Sequence, residues 1–192
     1  MGPHEIRGFI GELYVLERLS ACSGFAAALS AWVAPDDHPQ DFAREDMLIE
    51  VKARLSGSRQ VVRISSLAQL EPAALPLALV VVELVASDGE DAMTLNALLA
   101  RILDAARALG PQMVDRFEAA LLKRGYMHQE AYDAEAYRVA GTTAFQCREE
   151  FPRLVRSEVD SRIPEARYAV DLSLLKEFEI SVDTVLDQWG VG

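Results

Sequence analysis

Between Met47 and Arg54 the chain alternates. Met47, Ile49, Val51 and Ala53 are apolar, while Leu48 is followed at every second position by Glu50, Lys52 and Arg54. Successive side chains of a β-strand point to opposite faces, so this pattern predicts a strand with one face on a core. Its other face aligns a carboxylate, an ammonium and a guanidinium. Upstream, Ile6, Phe9, Ile10, Leu13, Leu16 and Ser20 recur at helical spacing and predict a helix over residues 5–20. Gly8 and Gly11 interrupt it and are candidates for close backbone approach, and Glu12 stands at the margin of the apolar stripe. Residues 25–33 are apolar and read as a helix end or a first strand, and Pro35 to Pro39 as a turn.

Asp41-Phe42-Ala43, Leu48–Arg54 and Gln60–Ser65 read as a three-strand meander, with Arg44-Glu45-Asp46 and Ser56-Gly57-Ser58 as its turns. Ser66–Leu70 begins a helical turn, Pro72 and Pro76 bracket a loop, and Leu77–Val85 is a strand apolar enough to be covered on both faces. Thr94 is the N-cap expected for an amphipathic helix ending at Leu109, with Gly110 just beyond it. Pro111 opens a second helix that runs to Arg124 and stops at Gly125. Tyr137–Arg148 alternates around Gly141, Arg167–Leu174 is a last strand, and Ser181 caps a terminal helix reaching Gln188. Phe151–Val159 has no clear assignment. Helix, meander, buried strand and further helices predict a single α/β domain over residues 1–192.

At 51% hydrophobic content, 192 residues suffice for a sizeable core. The longest apolar run, Leu75–Ala86, is broken by Pro76 and Glu83, so no membrane span is expected. Cys22, at the end of the first helix, and Cys147, on a late strand, match no metal or redox spacing. With no export signal at the start of the sequence, they read as inert thiols in a reducing cytoplasm.

The formal charge of −11 counts against a surface that grips nucleic acid throughout, and suggests a protein partner or a multi-subunit complex. Its distribution matters more. Arg44, Lys52, Arg54, Arg59 and Arg63 outnumber Glu45, Asp46 and Glu50, which leaves room for a local basic cleft on an acidic body. A second group, Arg148, Arg153, Arg156 and Arg162, is offset by Glu149, Glu150, Glu158 and Asp160. No glycine-rich phosphate loop or G-x-S-x-G elbow is present, and His4, His38 and His128 are scattered, against a histidine zinc site or a triad. Trp32, Trp189, Phe117 and Phe151 read as core or interface residues.

What remains is Asp41, then Glu50-Val51-Lys52. If their strands pair, Asp41 and Glu50 can share a divalent cation. Mg2+ takes an oxygen shell of one or two carboxylates plus substrate phosphate, and Mn2+ is a possible substitute. The Val51 carbonyl is an extra oxygen and Glu12 a further metal-side carboxylate. Lys52 would orient a water or stabilise the transition state, and Gln69 would hold the scissile phosphate or orient Lys52. Asp36, Asp37 and His38 rank behind Asp41 as turn residues. The plainer alternative is a solvated strand face bearing a neighbouring ion pair, on a protein that works as an acidic interaction module.

The order Arg7-Gly8-Phe9-Ile10-Gly11-Glu12-Leu13, Asp41-Phe42, Ile49-Glu50-Val51-Lys52 and Ile64-Ser65-Ser66-Leu67-Ala68-Gln69-Leu70 resembles the PD-(D/E)XK nuclease superfamily. More narrowly, it resembles a PD-(D/E)XK family of unknown function found beside bacterial restriction and phage-defence genes. Phe151-Pro152-Arg153-Leu154 and Arg167-Tyr168-Ala169-Val170 extend the likeness over most of the chain. The resemblance implies a restriction-endonuclease-like α/β core, with a central mixed sheet flanked by helices. It implies a Mg2+-dependent DNA endonuclease of a restriction or phage-defence system, with Asp41 and Glu50 as metal ligands and Lys52 as the catalytic lysine. Glu12 would be an accessory acid and Gln69 an accessory polar residue. The implied partners are DNA, other defence-system subunits and, for cutting both strands, a second copy in a homodimer. A non-catalytic nuclease-fold subunit for DNA binding or complex assembly is the alternative. Gln40 stands where the motif has proline, and the sequence begins almost at its first helix, shorter there than the family leads one to expect.

Overall fold

The computed structural model describes residues 1–71 and 74–190. The first helix, α1, spans Pro3–Ser23, with Cys22 exposed in its last turn, and α2 follows over Phe25–Ala31. The apolar stretch after Gly24 is therefore helical. Strand β1 is only Phe42–Ala43, and β2 is Leu48–Leu55. They pair antiparallel, with Phe42 opposite Ile49. The expected alternation holds. Met47, Ile49 and Val51 join the core shared with α1, and Leu48 joins a second cluster on the opposite face.

The expected meander does not form. The chain turns back after β2 at Ser56-Gly57, but β3, Val61–Ile64, leaves the main sheet and pairs antiparallel with β6, Tyr168–Asp171. The place beside β2 goes to β4, Leu77–Ala86, in parallel register from Leu48↔Leu77 to Leu55↔Leu84. The reason is burial. Leu77, Leu79 and Val81 of β4 enter one core cluster while Ala78, Val80, Val82 and Leu84 enter the other, as a central strand requires. β3 is short and carries the exposed Arg63.

Antiparallel β5, Tyr137–Gln146, lies on the far side of β4, with a register shift opposite Gly141, and β7, Glu179–Ile180, closes that edge. The main sheet therefore runs β1-β2-β4-β5-β7, a mixed sheet in an α/β fold. Between β4 and β5 come α3, Leu95–Leu109, and α4, Pro111–Lys123. Thr94 caps α3 by accepting from the Ala97 N–H at 3.1 Å. The last helix, α5, is Val182–Gly190. Buried residues of all five helices found among the described residues join the cluster on one face of the sheet. The opposite face is covered by β3, β6 and the irregular segment bearing Cys147, Phe151 and Phe178.

The expected loop bracket at Pro72 lies outside the described residues. The four aromatics read as core, Trp32, Phe117, Phe151 and Trp189, are all buried. Arg148, Arg153, Arg156 and Arg162 are consumed locally. Arg153 donates to the Cys147 carbonyl, Arg156 to four carbonyls between Val159 and Pro164, and Arg148 and Arg162 pair with nearby carboxylates. Among the described residues no helix is long and apolar enough to cross a membrane.

Candidate active site

β1 covers only the first residues of β2, so the rest of that strand has an open edge. A cleft of about 590 Å³ runs along it, walled by the first half of α1 on one side and by β3 on the other. Asp41, Glu50, Val51, Lys52, Gln69 and Glu12 all line this cleft. Asp36, Asp37 and His38 do not. Asp36 pairs with Lys123, and the His38 ring stays within its own turn at the Gln40 backbone.

The strand edge itself positions Asp41. The Asp41 N–H donates to the Ile49 carbonyl at 3.1 Å, and the Val51 N–H donates to Asp41 Oδ2 at 2.7 Å. Residues 49 and 51 direct their backbone groups to the same edge of β2, so the Val51 carbonyl also points away from β4 and past the end of β1. Gln40 is buried and fixes this approach from behind. Its Nε2 donates to the carbonyls of Ala68 and Gln69 at 2.9 and 3.1 Å. A proline there could not make these bonds.

Glu50 is only 1% exposed, which removes the reading of a solvated strand face. Lys52 Nζ lies 2.6 Å from Glu50 Oε1, an ion pair poorly aligned as a hydrogen bond, and neither carboxylate oxygen has a well-formed donor among the described residues. Burial pushes the Glu50 carboxyl up to about 7 despite the opposing pull of Lys52. Burial raises Asp41 well above the ordinary range too, reinforced by the negative charges of Glu50 and Glu12. Two proximate carboxylates that resist ionisation are what an added cation would relieve. Lys52 is held by a second partner as well: Gln69 Oε1 accepts from its Nζ at 3.1 Å and from the Ser65 N–H at 2.7 Å.

Glu12 enters the cleft differently. It is 5% exposed, and both of its oxygens are taken by Arg124, from Nε at 3.0 Å and Nη2 at 2.5 Å. Among the described residues no group of three or more histidines, cysteines and acids is arranged to hold a metal. The oxygens at the strand edge are those of Asp41, Glu50 and the Val51 carbonyl, a hard donor set that suits Mg2+ or Mn2+.

Gly11 explains how α1 approaches so near. A Cβ there would come within 3.1 Å of Ala53 Cβ and 3.6 Å of Val51 Cγ1, whereas one at Gly8 would meet nothing within 4 Å. Of the two glycines expected to mark close approach, only Gly11 does. Arg124 and Gln40 had no signature in the sequence. Arg124 lies 112 residues from Glu12, and Gln40 reads only as a departure from the motif.

A family model described as "Putative PD-(D/E)XK family member (DUF4420)" matches residues 1–173. The chain belongs to this family. The matched span carries every cleft residue named here and ends just after β6. No curated protein and no solved structure matches the chain. Beyond the matched span, α5 of this PD-(D/E)XK family member packs against β1 and the turn that follows it. Trp189 of α5 packs edge-on against Phe42 at 6.4 Å, and its ring lies 5.2 Å from the Arg44 guanidinium.

Proposed function

We propose that this PD-(D/E)XK family member is a divalent-metal-dependent DNA endonuclease, with Mg2+ as its ion and Mn2+ as a substitute, and that it serves bacterial defence against foreign DNA. One observation carries the reading: a nearly inaccessible Glu50, with no well-aligned donor, faces Lys52 and Gln69 in the cleft that Asp41 enters. Asp41, Glu50 and the Val51 carbonyl would hold the ion. When bound, the ion supplies positive charge at the phosphate and lowers the pKa of a water. Lys52 places a preorganised positive charge where the phosphorane-like transition state gains negative charge, at no reorganisation cost. Gln69 would orient the Lys52 ammonium, a role supported by its Oε1 accepting from Nζ at 3.1 Å.

Charge favours the same reading. The cleft wall carries Arg7, Lys52, Arg54, Arg63 and Arg124 against Glu12, Asp41 and Glu50, five cations to three carboxylates, on a chain of net charge −11. An acidic body with a basic groove confines a polyanion to that groove.

The deciding experiment incubates supercoiled, linear and single-stranded DNA with Mg2+, Mn2+ or EDTA, using wild type, Lys52→Ala and Asp41→Ala. Metal-dependent nicking lost in both variants is expected. Cleavage surviving in both would overturn these residue roles, and no cleavage under any condition would leave a non-catalytic subunit for DNA binding or assembly.

A further inference from the structure

We infer that Arg124 is a substrate-phosphate ligand and that Glu12 is the positioning residue that aims it. The inference rests on the reading of the cleft as a phosphodiester site, and it reassigns Glu12 from the metal side to the substrate side.

Arg124 stands where α4 ends, just before Gly125, whose φ of 79° turns the chain away. A helix C-terminus favours a cation, but it does not dictate where that cation points. Two contacts do. Glu12 accepts from Nε and Nη2 in a forked pair, and the guanidinium carbon lies 5.5 Å from the centroid of the Phe9 ring. A guanidinium has five N–H donors in one plane. Glu12 occupies two of its nitrogens, while Nη1 has no partner among the described residues. The side chain remains 32% exposed on the cleft wall. A planar fork, pinned along one edge and over one face, presents its remaining donors in a fixed direction, and phosphate oxygens match that geometry.

A purely structural role accounts poorly for this arrangement. A buried ion pair returns little net stability compared with apolar residues of similar volume. Both Glu12 oxygens are already engaged by Arg124, so its charge is directed at the guanidinium.

The test measures binding of a short fluorescein-labelled DNA duplex by anisotropy in EDTA across a salt series, so that metal and turnover play no part. Arg124→Ala is expected to weaken binding about tenfold or more and to reduce the slope of log K against log salt by about one. Arg124→Lys should keep the slope and recover only part of the affinity, since it restores the charge and not the fork. Because Arg124→Ala strands the buried Glu12 carboxylate, the double variant Glu12→Gln/Arg124→Ala is measured alongside, with its melting temperature. It should bind as weakly as the single variant although the stranded charge is gone. Wild-type affinity and slope in the double variant would overturn the inference while leaving the nuclease reading intact. A wild-type protein that neither binds nor cuts DNA would instead remove both.

Discussion

Val51 donates its backbone N–H to Asp41 Oδ2 at 2.7 Å, so one residue of β2 aims the carboxylate of the neighbouring strand with its nitrogen and exposes its carbonyl at the same edge. The first acid of the motif is thus positioned by the backbone between the second acid and the lysine. Asp41 needs no side-chain partner to hold its direction. Substitutions at Val51 that preserve the strand should therefore leave Asp41 in place, and the sensitive positions are the side chains around it.

Lys52→Ala should lower the rate of DNA cleavage by about a hundredfold or more, the usual cost of removing one preorganised charge at a developing oxyanion. Gln69→Ala leaves the ammonium present with Glu50 as its remaining partner, so a smaller loss of about tenfold is expected. Single-turnover kinetics at saturating DNA would separate the two, and equal losses would contradict the orienting role of Gln69.

Protonation of Glu50 has a defined sign. Its carboxyl titrates near 7 in the folded chain, against an ordinary value of 4.5. The folded state therefore holds a proton that the unfolded state releases. The stabilisation linked to this proton is complete below 4.5 and is lost as pH rises through about 7, a change of order 3 kcal/mol. Thermal melts in EDTA should show falling stability between pH 5 and 8. Glu50→Gln should flatten that fall, and an unchanged pH dependence in this variant would exclude Glu50 as its source.

Divalent cations should counter the same effect. At pH 8 a hundredfold excess of Mg2+ or Mn2+ over Kd adds about 2.7 kcal/mol to stability. For a chain of this size that is roughly 5–10 °C in melting temperature. The shift should vanish in Asp41→Ala and Glu50→Ala. A shift that survives in both places the ion elsewhere.

The two glycines of α1 predict opposite outcomes. Gly11→Val forces side-chain atoms against Ala53, Val51 and Val82, and should cost about 2 kcal/mol or more. Gly8→Ala meets no atom within 4 Å and should stabilise α1 by roughly 0.5–1 kcal/mol. Chemical denaturation of the two variants would check both signs.

Much of the site was legible because β2 obeys a period of two: the alternation from Met47 to Arg54 named both the buried face and the polar one. The antiparallel partner β1 followed from the short polar turn Arg44-Glu45-Asp46. The fate of β3 was not legible, because Ser56-Gly57-Ser58 signals a reversal of direction and says nothing about which strand receives the hydrogen bonds. That choice depended on β4, whose apolar residues on both faces competed better for the centre of the sheet. Arg124 was hidden for another reason. Its helix was predicted and its stop at Gly125 was predicted, but a forked contact across 112 residues leaves no local pattern.

The pairing of β3 with β6 carries a consequence for the order of events at the ribosome. One wall of the cleft is a strand whose ladder partner, the only one among the described residues, is made more than a hundred residues later. Asp41, Glu50 and Lys52 are synthesised before β6, but Arg63 and its neighbours gain their ladder partner only when Tyr168–Asp171 has emerged. A nascent chain would therefore carry the motif with this wall of the groove still unassembled until β6 is made, about a hundred residues after β3.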